Sequence, residues 1–271
     1  MMQRLSLIHI LKQRILLSCA LLCMGSSIPA HASLPASIEV LFLIQDSQPK
    51  YFLTDADSDF EHQKYGLCGD IYRVLQTRLK EKNINSEVRQ KYLPIKRIMS
   101  NVENKASNVF CGAGRNASRE QRFIYSKLPV YHVSNVVASH RDDGYNPSSY
   151  DDLKVQQGEV GALYGTSSAR FLKDKIGMQP NDRFLDISAA LKAVANKKVR
   201  YFYYHDLGLN YLVPASKLPL RVVPVKLRST PQWMIYSKHM SPELTQLLDN
   251  LLQDMTDSGE LKAINQLYLS L

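Results

Sequence analysis

The feature that most limits how this chain can fold is its alternation of short apolar, β-branched runs with stretches whose apolar residues recur at helical spacing. Residues 38–44 (IEVLFLI) form the first run, bounded by Gln45, Asp46, Ser47, Gln48 and Pro49. A run of that length and content is expected as a buried strand. Ile71, Val74, Leu75 and Leu79 then share one helical face behind Asp70, a capping residue type, and Asn83 marks the end. Residues 88–92 are expected as a second strand, stopped by Pro94. Ile95, Ile98, Met99 and Val102 space as a helix face, and residues 108–111 form a third strand entering Gly112, Ala113 and Gly114. A strand over 135–139 follows. A second series begins with a strand at 160–163. Gly165, Thr166, Ser167 and Ser168 open a helix, and Asp186 caps another through Ile187, Ala190, Leu191 and Val194. Residues 201–204 (YFYY), 220–225 and 233–236 are further strands. Ser241 and Pro242 open a helix lined by Leu244, Leu247, Leu248, Leu251 and Leu252; Gly259 separates a last one with Leu261, Ile264 and Leu267. This alternation predicts an α/β fold of mostly parallel sheets flanked by helices. Two series of about a hundred residues each predict two lobes.

The segment before the first strand has a different character. Arg4, Lys12 and Arg14 precede the ten-residue apolar run 15–24; Gly25, Ser26, Ser27 and Pro29 break it, and Ala30, His31 and Ala32 follow. This is the layout of a cleaved secretory signal peptide, residues 1–32, cut between Ala32 and Ser33. The run is too short to span a bilayer as an anchor. A periplasmic location is the expectation.

Export bears on the cysteines. Cys19 and Cys23 leave with the leader, and Cys68 and Cys111 remain. An oxidising compartment favours a disulfide between them; two free buried thiols are the alternative. Two cysteines make no tetrahedral metal site, and the histidines show no short ligand spacing, so no metal or other cofactor is expected. The formal charge of the 271-residue chain is +9. Its charges of both signs are interspersed, which argues against nucleic-acid binding and leaves open a basic pocket for an acidic ligand.

Residues 111–130 (CGAGRNASREQRFIYSKLPV) resemble the signature of bacterial extracellular solute-binding proteins of family 3, the periplasmic amino-acid-binding group. There a strand ends in a small-residue turn, followed by Thr or Ser, Arg, and an aromatic-Ser-x-x-Pro stretch. Gly114, Arg115, Asn116, Arg119, Tyr125, Ser126 and Pro129 stand at those positions. Gly66 to Asp70, Pro94 to Arg97, Gly161 to Ser167 and Asp257 to Leu261 resemble further family segments. The resemblance implies a two-lobed periplasmic-binding-protein-like fold (type II) whose lobes are joined by two hinge strands, near 129–134 and 218–224. Lobe 1 would comprise 33–132 plus 224–271, and lobe 2 would comprise 133–223.

The resemblance also implies a ligand site. Arg119 matches the arginine that grips a ligand carboxylate, for which a planar guanidinium is suited. Gly114 lies in the turn before it, and Asn116 stands in place of a Thr or Ser donor. Thr166 and Ser167 open a helix whose first N–H groups attract an anion, or simply cap it. Asp206 matches the acid that binds an α-amino group, unless a one-residue shift puts His205 there. Tyr51 and Phe52 are aromatic residues where the family covers its ligand, or else core. Arg97 and Trp233 are better suited to a solvated face and to the core.

The function this implies is non-enzymatic: capture of a small polar ligand, an amino acid or related carboxylate, by lobe closure. A monomer would pass the ligand to a membrane ABC-type transporter or report it to a sensor. The alternative is a dehydratase-like enzyme on the same fold, which needs a general acid in the cleft. Glu120 and Asp206 are the nominees. The chain has no nucleophile elbow, phosphate loop or zinc motif.

Overall fold

The computed structural model describes residues 39–53, 65–155 and 159–269. The expected leader and its cut lie outside these residues. Among the described residues no helix is long and apolar enough to cross a membrane.

The first series runs β1 (Val40–Leu43), α1 (Leu67–Glu81), β2 (Ser86–Val88), α2 (Ile95–Asn104), β3 (Asn108–Ala113) and α3 (Ala117–Glu120). β1 pairs in parallel with β2 on one side and β3 on the other. α1 starts three residues before the expected cap. Gly66 is its N-cap, and Asp70 sits in the first turn, where it accepts a hydrogen bond from the Tyr268 hydroxyl at 2.7 Å. Asn83 ends the helix in the left-handed region, with φ at 59°. The second strand is shorter and earlier than residues 88–92.

β4 (Phe123–His140) is 18 residues long. Only its last third, 135–139, was legible as a strand. Then come α4 (Tyr150–Val155), β5 (Val160–Leu163), α5 (Ser167–Asp174), β6 (Asn181–Phe184), α6 (Ile187–Ala195) and β7 (Tyr201–His205). Thr166 and Asp186 cap α5 and α6 as expected, accepting from Ala169 N and Ala189 N. α7 (Asp206–Ser216) has no clean apolar stripe and contains Pro214, so no periodicity announced it. β8 (Leu220–Val222) and β9 (Arg228–Ser237) follow, then α8 (Pro242–Asp257), capped by Ser241, and α9 (Glu260–Leu269).

The strand order is β2-β1-β3-β9-β4-β7-β5-β6, with β8 alongside β4. β4 and β9 are antiparallel neighbours from Phe123 opposite Ser237 to Asn135 opposite Arg228. Beyond that point β4 pairs instead with β7 and β8. The segment returning beside β4 is therefore Arg228–Gln232, not 218–224 as expected. Leu220–Val222 pairs with Ala138 to His140, at the far end of β4.

Three apolar clusters make the core. One gathers Phe42, Leu75, Ile98, Phe110, Met234 and Leu248 from β1, α1, α2, β3, β9 and α8. The other two lie on opposite faces of the β4–β7–β5 portion. Val136 and Phe202 belong to one and Val137 and Tyr203 to the other, because successive side chains of a strand point to opposite faces. A disulfide joins Cys68 in the first turn of α1 to Cys111 in β3, both fully buried. The free-thiol alternative is set aside.

Candidate functional site

In open α/β sheets, ligands bind beyond the carboxyl ends of the strands. A small cavity of about 50 Å³ lies there, open to solvent on one side. Gln45 and Lys50 reach it after β1, Gly112 from the end of β3, and Gly114 and Arg119 after β3. Thr166, Ser167 and Ser168 enter it from the start of α5, and Tyr204 and His205 from the end of β7. β4 and β9 supply its floor through Asn135, Arg228 and Gln232. The two sides approach closely: a Cβ on Gly114 would meet Ser167 Oγ and force that side chain to turn away.

Arg119 is buried, at 6% exposure. Its Nη1 donates to Gly114 O at 2.9 Å on its own side, and its Nη2 to Gly165 O at 3.3 Å on the other. Asn116 caps α3, its Oδ1 accepting from Arg119 N at 3.1 Å. It positions the arginine and does not line the cavity. Burial lowers the Arg119 pKa to about 10, which leaves it charged at neutral pH.

Lys50 is also buried, at 4% exposure. Its ammonium donates to Gln45 Oε1 at 3.1 Å and lies 5.2–5.3 Å from the Phe110 and Tyr51 rings. Burial, with the positive charge of Arg119, brings its pKa down from 10.5 to about 7. Among the described residues neither cation has a carboxylate partner in the ion pairs.

This burial predicts a pH-dependent stability. Between pH 7 and 9 the unfolded chain keeps the Lys50 proton that the ligand-free native state sheds. The unfolded state then binds more protons, so native stability rises with pH, on the order of 1 kcal/mol per unit. Urea unfolding of wild type and Lys50→Met across this window will show the rise in wild type only.

His205 is buried against Lys50, and both facts hold its pKa well below the usual range. The ring is neutral, and its Nδ1 accepts from Gly208 N at 2.9 Å, capping α7. The proton therefore sits on Nε2, and the ring can offer a further partner a donor only. Asp206 lies outside the cavity lining, its Oδ1 held by Ser134 N and Leu207 N, both at 2.9 Å. Of the two neighbours, His205 lines the cavity and Asp206 does not.

Other expected residues are redirected. The Thr166 hydroxyl is committed to its cap, donating to Leu163 O at 2.8 Å while accepting from Ala169 N at 3.1 Å. Tyr51 is fully buried core: its hydroxyl donates to Cys111 O at 2.5 Å, and its ring packs on Tyr72 and Phe110. Phe52 packs edge-on against Tyr211 and lines a separate depression with Tyr51. Glu120 is exposed and paired with Arg115 at 2.5 Å. Neither acid nominated for catalysis lines the cavity. Sequence reasoning passed over Gln45, Lys50, Asn135, Arg228 and Gln232. Lys50 carries a usable signal, its place in the loop just after the first strand.

Among solved structures, the amino acid ABC transporter substrate-binding protein AbpA of Streptococcus pneumoniae, bound to L-arginine, is 18% identical, with a TM-score of 0.68 over 84% of this chain and 92% of its own. A histidine kinase sensor domain similar to periplasmic binding proteins is 16% identical, with a TM-score of 0.70 over 85% and 95%. An ancestral amino acid-binding protein, a precursor of cyclohexadienyl dehydratase, is 17% identical, with a TM-score of 0.67 over 84% and 93%. These likenesses bear on the fold: two lobes of the type II periplasmic-binding kind, joined by two strands. No curated protein sequence matches the chain. Residues 47–270 match the family of bacterial extracellular solute-binding proteins, family 3, and the chain belongs to that family.

Proposed function

We propose that this protein is a non-enzymatic solute-binding component, exported by cleavage of residues 1–32, that captures a small carboxylate-bearing ligand and delivers it to an ABC-type transporter. The observation that carries this reading is the position of Arg119. Its guanidinium bonds a carbonyl on each side of the cavity, so the group suited to grip a carboxylate sits where the two sides meet. The sides are a lobe of residues up to about 132 with those after about 230, and a lobe of the residues between, since Val225 and Leu227 pack with Val137 and Tyr203. β4 and β9 are the hinge strands, and closure over the ligand is the working motion. Asn116 and Gly114 hold the arginine, Ser167 and the first N–H groups of α5 meet the ligand from the second lobe, and His205 takes the place expected of Asp206.

The test is a thermal-shift screen of the protein after unfolding and refolding, with the disulfide intact, to remove any carried-over ligand. The panel holds amino acids, polyamines and organic acids. A compound at a hundred times its Kd adds about 2.7 kcal/mol, and Tm rises by several degrees. No rise across the whole panel overturns the proposal.

A further inference from the structure

Two cations, Lys50 and Arg119, are buried in one cavity and close enough for one to depress the pKa of the other. A third, Arg228, lines the same cavity; its guanidinium stacks 3.9 Å from the Phe171 ring and makes no hydrogen bond among the described residues. Among the described residues, no Asp or Glu lines the cavity. Buried charge without a counter-ion is costly, and a site that keeps two such groups is completed by an anion from outside.

The other polar groups agree. His205 is neutral and donates through Nε2. The carboxylate next to it in sequence, Asp206, is spent on two backbone N–H groups outside the cavity. The N-terminal end of α5 adds a positive dipole at Ser167. An α-ammonium would enter with its full desolvation cost and meet like charge, and no carboxylate among the described lining residues would receive it.

We propose that the ligand is a small organic dianion without an ammonium group, a dicarboxylate in its chemistry, one end on Arg119 and the other on Lys50. This rests on the binding-protein reading and narrows it. Arg119 takes one carboxylate through a planar fork, while the Lys50 ammonium is a point charge that accepts a range of geometries at the other end. Charge balance, more than shape, then separates this ligand from an amino acid of the same length.

The test uses matched pairs that differ only in the α-amino group: glutarate against L-glutamate and succinate against L-aspartate. Each is titrated by calorimetry into the wild type and Lys50→Met. The expected result is a Kd at least tenfold lower for the dicarboxylate of a pair, with that preference reduced at least tenfold in Lys50→Met. The ligand-free Lys50→Met protein is expected to melt no lower than wild type, since it loses a buried amine whose ionisation burial opposes, so its lost affinity is not a folding defect. A lower Kd for the amino acid of a pair overturns the dianion and leaves the binding-protein reading standing. Binding by neither pair, with a response to another class in the thermal-shift panel, also overturns the dianion alone. No response to any compound overturns both. Wild-type preference retained in Lys50→Met overturns the role given to Lys50.

Discussion

Replacement of Arg119 by alanine is expected to weaken ligand binding by about thirtyfold or more while leaving the ligand-free fold in place. Truncating one partner of a buried, hydrogen-bonded charge pair costs about 2–5 kcal/mol, which is a factor of about 30 to several thousand in Kd. The fold is spared because the side chain's own account nearly balances. The change removes a buried cation, a gain, and strands the Gly114 and Gly165 carbonyls, a loss, one of them beside a cavity that admits water. Arg119→Lys keeps the charge and loses the planar fork, so it should recover only a small part of the affinity. Calorimetry with the acid selected by the thermal-shift panel, alongside circular dichroism of the variants, reads both effects. Unchanged affinity in Arg119→Ala would mean that the side chain only straps one carbonyl to the other.

The second large effect concerns the Cys68–Cys111 disulfide. It closes a loop over a sequence separation of 43 residues. In the chain-entropy account a loop of that length contributes about 4 kcal/mol by limiting the unfolded chain. The double variant Cys68→Ala/Cys111→Ala should lose roughly that much in urea unfolding, and a reductant acting on the wild type should match it. The bond is also joined to the cavity wall through its neighbours. Cys68 N donates to Lys50 O at 2.9 Å, Tyr72 Oη accepts from Cys111 N at 2.6 Å, and Gly112 next in the chain lines the cavity. A variant that unfolds at the wild-type urea midpoint would show that packing of α1 on β3 alone sets the stability.

Much of the fold was legible because its signals are local. The alternation of strand-like and helical periods, the caps at Thr166, Asp186 and Ser241, and the left-handed stop at Asn83 each depend on a few neighbouring residues. The family signature around Arg119 was legible for the same reason: the turn, the arginine and the aromatic-Ser-x-x-Pro stretch form one short contiguous piece, whereas the capping role of Asn116 came from the structure.

What only the tertiary structure decided are choices between neighbours and between partners. Whether His205 or Asp206 faces the cavity depends on the register at which β7 gives way to α7, and a slip of one residue moves a side chain to the opposite face. The strand that returns beside β4 is β9 because Arg228–Gln232 pairs with Tyr131 to Asn135, a match between segments about a hundred residues apart in sequence. Tyr51 is core and its neighbour Lys50 lines the site because the chain after β1 packs onto α1 and β3 there, and no property of a lysine in isolation predicts that it will be buried without a counter-ion. By itself the sequence determined the fold class and singled out Cys68, Cys111 and Arg119; the bond between the cysteines and the burial of the arginine belong to the packed structure. The charge balance of the cavity came from long-range packing, since burial and pairing belong to the assembled sheet and not to any single segment of it.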